Sequence, residues 1–126
     1  MNNVLLLKLI DAQAVQDGDQ PSVLKLPNDA DPMVLADGRF IGVDRIELRF
    51  PHFTDGRAYS QAYLLRRRLR FTGDLRATGD VQIDQLLQMA RTGFSSAVLN
   101  DGLNPAEAAR QLAQFSGFYQ RDLTDT

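Results

Sequence analysis

The residues of this 126-residue chain best suited to chemistry gather at three turns. Pro51-His52-Phe53-Thr54-Asp55-Gly56-Arg57 holds the only histidine together with an aspartate and an arginine. Ala77-Thr78-Gly79-Asp80 holds a second aspartate, with Arg76 just before it and Asp84 soon after. Asn100-Asp101-Gly102 is the third. An arginine beside a helix N-terminus makes an anion site, because the guanidinium fork and the unpaired backbone amides both donate to oxyanions. Asp55 and Asp80 stand at the same expected helix starts. There they compete with an anion and favour a cation, a hydroxyl or a bridging arginine. Their plainer role is helix capping, worth about 1 kcal/mol each. Arg57 pairing with Asp80 or Asp84 across neighbouring loops is the intermediate case. His52 has the chemistry of a general base at neutral pH, but after a strand-ending proline it also fits a plain surface loop. Ser60, His52 and Asp55 are close in sequence, which says nothing of a catalytic triad, since triads assemble from separate loops.

Composition closes several routes. The chain has no cysteine, so disulfides, thiolate nucleophiles, cysteine-held iron–sulfur clusters and cysteine zinc sites are all excluded. One histidine cannot build a polyhistidine zinc site, whereas magnesium on carboxylates stays open. Neither Gly73 nor Gly79 is followed by the Lys-Ser/Thr pair of a phosphate loop, and the dinucleotide-binding glycine fingerprint is missing. No cofactor is expected. The net charge of −2 is unevenly spread. Residues 1–38 carry two lysines against six acids, residues 39–91 ten arginines against six acids, and residues 92–126 two arginines against four acids. Solvated helix faces paired with surface acids account for most such arginines. An acidic chain without a nucleic-acid motif is not expected to bind DNA or RNA. No apolar run suits a signal peptide or a membrane span, so a cytoplasmic protein with no membrane contact is expected.

The elements that must hold these turns can be read from periodicity. Val4–Ile10 and Ser22–Leu26 are strand candidates around a polar loop, Asp11–Pro21. Asp31 can cap a short helix with Pro32 in its first position, a reading preferred to a hairpin turning at Asp37-Gly38. Ile46, Leu48 and Phe50 alternate with polar residues as a strand does, and Pro51 ends the ladder. Thr54 or Asp55 caps a helix from near Gly56, with Ala58, Ala62, Leu65 and Leu69 on one stripe and the arginines at 66, 67, 68 and 70 flanking or opposing it. Leu75–Thr78 is the next strand. After it Asp80 caps a helix faced by Ile83, Leu86, Leu87 and Ala90 and closed by Gly93. Phe94–Leu99 is a strand, and Asn104-Pro105-Ala106-Glu107 starts a third helix lined by Ala108, Leu112, Phe115 and Tyr119. The tail after Gln120 reads as frayed. Alternating strands and helices imply a single α/β domain over residues 1–126, with a small, mostly parallel sheet of four to five strands. It is either an open layer or a half-barrel of βα repeats. A half-barrel leaves its inner face bare, so a homodimer is expected to cover it.

Two stretches carry a resemblance. One is Phe50-Pro51-His52-Phe53-Thr54-Asp55-Gly56-Arg57-Ala58-Tyr59-Ser60; the other is Gly73-Asp74-Leu75-Arg76-Ala77-Thr78-Gly79-Asp80-Val81, followed by Asp84-Gln85-Leu86. Together they resemble family 934 of the bacterial domains of unknown function, whose members are often labelled oxidoreductases of sulfite reduction. The match is strong over about residues 46–99 and weaker toward Tyr119. Thr92 stands where members often carry a cysteine, and Ser95 where many carry an aspartate. A thiol-dependent activity at position 92 is therefore closed to this chain.

The resemblance implies a place in assimilatory sulfite reduction. One form of it is an accessory protein docking on sulfite reductase or its electron donor, with Arg57 and Arg76 as anchors among the candidate residues His52, Asp55, Tyr59, Asp80 and Asp84. A second form is a small enzyme or binder whose Arg57 and Arg76 clamp an oxyanion. A third is a non-catalytic dimer in which the motifs are caps and internal ion pairs. Whether any reaction is catalysed is left open by the residues.

Overall fold

The computed structural model describes residues 5–14, 22–114 and 118–119. Along them run β1 (Leu5–Leu6), β2 (Lys8–Ile10), β3 (Val23–Leu26), β4 (Arg45–Phe50), α1 (Arg57–Tyr63), β5 (Asp74–Gly79), α2 (Leu86–Thr92), β6 (Ser96–Val98), α3 (Pro105–Leu112) and β7 (Phe118–Tyr119). Short 3₁₀ turns occupy Ala12–Ala14, Pro32–Leu35 and Ile83–Gln85, and a π-helical turn at Leu64–Arg68 prolongs α1.

Five strands form one parallel sheet in the order β2-β6-β5-β4-β3. The fold is α/β, as expected, and the sheet is not closed. Its edges, β2 and β3, are consecutive in sequence, so the strands follow chain order around an open curve with one gap. Successive side chains point to opposite faces of a strand. Ile46, Leu48 and Phe50 of β4, Leu75 and Ala77 of β5, Ala97 of β6 and Leu9 of β2 therefore enter one core. Ala58, Ala62 and Leu65, then Leu86 and Met89, then Ala108 and Leu112 bring the three helical segments onto that same face. The other face is polar. In register across it run Lys25, Glu47, Arg76, Ser96 and Lys8. Arg45 and Asp74 lie opposite each other one step away, and Arg49 opposite Thr78 on the far side. Parallel sheets are ordinarily apolar on both faces. Here one face carries charged side chains, Arg45, Glu47 and Arg76 among them only 12%, 16% and 14% exposed, and none of α1, α2 and α3 packs its buried residues on it.

Several boundaries differ from the sequence reading. The strand expected over Val4–Ile10 is two strands in different sheets, β1 pairing with β7 and β2 with β6. The third helix stops at Leu112 rather than reaching Tyr119, because Phe118–Tyr119 is a strand pairing with Leu5–Leu6. That pairing is a contact between chain ends, invisible to helical periodicity. Val4, most of the polar loop, Phe115 and the tail after Gln120 lie outside the described residues. Asp31 accepts from the Met33 amide and Pro32 opens the 3₁₀ turn, so a helical turn and not a hairpin stands there.

Candidate functional site

The three expected turns do meet beyond the carboxyl ends of β4, β5 and β6, and Asp80 ties them together. One carboxylate oxygen accepts the Phe53 backbone amide at 2.8 Å. The other accepts the side-chain amides of Gln82 at 2.8 Å and Asn100 at 2.6 Å. The Asp80 amide donates to the Phe50 carbonyl at 2.7 Å, and the Asn100 side chain accepts from the Val81 amide at 2.9 Å. Asp80 is thus a hub between three loops and caps no helix, which corrects the capping role expected for it. A 3₁₀ turn at Ile83–Gln85 precedes α2, so α2 begins too far from Asp80 to be capped by it.

Hydrogen bonds from Asn100, then Gln82, then the Phe53 amide hold the Asp80 carboxyl below the usual carboxylate value, with a small favourable contribution from His52. A carboxylate depressed in the folded state stabilises the fold fully above its unfolded pKa. That contribution is lost as pH falls from there through the lower folded value. Asp80→Asn is therefore expected to be less stable than wild type at neutral pH, with the difference shrinking in strong acid. Urea unfolding of both proteins across the acid range checks this, and a difference independent of pH would refute the charged hub.

The same hub holds Phe53. Its amide is taken by Asp80 and its carbonyl accepts from the Gln85 side chain, yet its side chain is 48% exposed. His52 and Thr54 beside it are exposed as well. Asp55 stands one residue before the N-cap of α1, which is Gly56 and has no side-chain cap, so the capping role expected for Asp55 is not what it does; it closes a local turn by accepting the Arg57 amide at 3.0 Å. The Arg57 guanidinium lies 3.7 Å from Asp55 and 3.5 Å from the Asn28 side-chain oxygen, with its side chain 66% exposed. It pairs with neither Asp80 nor Asp84. Asp84 is exposed and makes no ion pair among the described residues. Tyr59 packs its ring edge-on against Phe50 at 5.0 Å. Burial, and then the Asp84 charge, raise the Tyr59 phenol above its ordinary pKa. Its hydroxyl finds no hydrogen-bond partner among the described residues.

Arg76 is elsewhere. It belongs to the polar sheet face, where its guanidinium donates to Ser96 at 2.9 Å and lies 3.3 Å from Asp74. Asp74 also accepts the Ser95 and Ser96 hydroxyls, at 2.5 and 2.8 Å. Desolvation lowers the Arg76 pKa and the Asp74 charge partly restores it. Arg57, at the start of α1 with Asp55 and Asn28, and Arg76, on the polar sheet face with Ser96 and Asp74, share no partner. The two-arginine clamp expected for an oxyanion is not assembled.

Sequence reasoning missed three residues here. Asn100 was read only as part of a turn, although an asparagine directly after a strand is well placed to bridge rim loops. Gln61, on the buried side of α1, donates to the carbonyls of Pro27, Asn28 and Ala30 and so holds the loop beside Arg57. Sequence periodicity sets Arg66 with the arginines that flank or oppose the apolar stripe. It lies in the π-helical turn, whose extra residue rotates side chains away from their α-helical positions. Its guanidinium reaches the carbonyls of Gly93 at 2.8 Å, Phe71 at 3.0 Å and Gly73 at 2.7 Å. An arginine run gives no signal of which member turns inward.

Among the described residues no group of three or more metal-ligating side chains occurs, and no helix is long and apolar enough to cross a membrane. No curated protein and no solved structure matches the chain. A family model, described as a bacterial protein of unknown function, DUF934, matches residues 23–126. That span takes in the whole rim, the Asp80 hub and both stretches singled out in the sequence, and the chain therefore belongs to the DUF934 family.

Proposed function

We propose that the chain is an accessory protein of assimilatory sulfite reduction that docks on sulfite reductase or on the component supplying its electrons. Cytoplasmic residence and a homodimer are parts of the same proposal. The observation that carries docking is Phe53, an aromatic side chain left half in water while both polar groups of its backbone are fixed by Asp80 and Gln85. Association is costly when loops must be ordered, and a pinned aromatic avoids much of that cost. Aromatic residues and arginine are also the residues that concentrate binding energy at interfaces. Arg57, exposed at the same rim, supplies the arginine. The connection to sulfite rests on the label that members of the family carry. The absence of cysteine favours support of a redox enzyme over a cysteine-held cluster of its own. The separation of Arg57 from Arg76 speaks against the oxyanion clamp.

The test is affinity capture of the tagged protein from a lysate of its own bacterium, read by mass spectrometry for wild type, Phe53→Ala and Arg57→Ala. Sulfite reductase subunits or their electron donor should be retained by wild type and fall by about tenfold or more in Phe53→Ala. Failure of wild type to enrich any protein of sulfur assimilation would overturn the pathway. Equal capture by all three proteins would overturn the rim as the docking surface.

A further inference from the structure

An open cleft of about 440 Å³ runs between α1 and the loop at residues 28–32. That volume lies in the range of small-molecule sites. Arg57, Ser60, Gln61 and Leu64 line its helix side. Gln61 crosses from one wall to the other. The residue is 3% exposed, and its Nε2 donates to the loop carbonyls of Pro27 at 2.8 Å and Ala30 at 2.9 Å. These bonds fix the orientation of the amide, because a flipped one would set its oxygen against carbonyl oxygens. Oε1 is left buried, with no hydrogen-bond partner among the described residues. A buried acceptor is costly until a donor reaches it.

Charges of both signs line the same cleft without pairing across it. Asp29 and Asp31 are exposed on the loop side, and neither makes an ion pair among the described residues. Asp31 spends one oxygen on the Met33 amide. Arg57 reaches Asp55 at 3.7 Å and the Asn28 side chain at 3.5 Å, but neither of the two cleft aspartates. A ligand that satisfies all of these groups gives a hydrogen to the buried oxygen, positive charge to the aspartates and negative charge to the guanidinium. A simple anion would face two carboxylates, and a simple cation would face Arg57. An α-amino acid carries both charges on one carbon. Leu64 and Pro32 line the cleft with apolar surface for its side chain.

We infer that this cleft binds a free α-amino acid with a small or aliphatic side chain. Its carboxylate sits on Arg57 and its ammonium on Gln61 Oε1 and the loop aspartates. The inference goes beyond the docking reading. The two share Arg57, and either can fail while the other stands.

The test is amide correlation NMR on the full, nitrogen-labelled chain, titrated with L-alanine and L-leucine. Leucinamide, which lacks the carboxylate, and isocaproate, which lacks the ammonium, are titrated beside them. At least one of the two amino acids should shift the backbone signals of Asn28, Asp29, Asp31 and Ser60 and the side-chain amide of Gln61, with a Kd below about 1 mM. Each half-ligand should bind about tenfold more weakly or worse, since each gives up one charge-assisted contact. Arg57→Gln should weaken L-leucine binding and leave leucinamide binding as it was. Cleft signals unmoved by both amino acids at ten times that concentration, or shifts confined to other parts of the chain, would overturn the site. Leucinamide or isocaproate binding as tightly as L-leucine would overturn the ligand class. Wild type alone decides both points, whether or not the Arg57 variant folds.

Discussion

Gly79→Ala is expected to cost at least about 3 kcal/mol, a large part of the stability of a domain this size. Two effects combine. Gly79 holds φ at +88°, where a side chain is strained. A Cβ there would also collide with the Phe50 carbonyl oxygen and come within 3.0 Å of its carbon. That carbonyl cannot retreat, because it accepts the Asp80 amide where β4 and β5 end side by side. The close approach exists so that the chain can turn and hand Asp80 to the other two loops. Gly102→Ala is the matched control, since its φ is +91° but nothing lies within 4 Å of the added carbon. It should cost about 1 kcal/mol, the strain alone. Urea unfolding of both variants measures the difference, and equal effects would refute the close contact.

Arg66→Ala is the second large effect, expected at about 3 kcal/mol. Three carbonyls, on the Phe71–Gly73 turn and at the end of α2, take their bonds from this one guanidinium. Bonds from a charged donor are stronger than neutral ones, and half-buried acceptors left without a partner are costly. Arg66→Lys should recover less than half of the loss, because a single ammonium lacks the fork that reaches two directions at once. Arg67→Ala, next in the chain and exposed, should change the stability of the monomer by under about 0.5 kcal/mol. A lysine variant as stable as wild type would show that position and not the fork matters.

What could be read from the chain follows from which forces are local. Alternation at Ile46, Leu48 and Phe50 and the stripe Ala58, Ala62 and Leu65 each report one element facing one core, and both stand as read. The caps at Asp31 and Asn104 are contacts within three residues and are equally legible. Sequence alone does not separate the two roles of Asp80, because a capping aspartate and a loop-bridging aspartate have the same neighbours in the chain. Only the distant partners Phe53 and Asn100 tell them apart. Arg76 was placed at the rim by its proximity to Gly79, although strand alternation sends it to the face opposite Leu75 and Ala77. Arg66 was hidden among identical residues, and the π-helical turn that redirects it has no sequence signature. Pairing of β1 with β7 joins the two ends of the chain, a separation no local pattern spans.

The central claim is that the pinned loop at Phe53 meets a partner from sulfite reduction. Photo-crosslinking in the native bacterium, with a light-activated phenylalanine analogue placed at Phe53, tests it most directly. Sulfite reductase or its electron donor should be trapped from position 53. Crosslinks from position 53 that reach only the chain itself, or only proteins outside sulfur assimilation, would contradict the account.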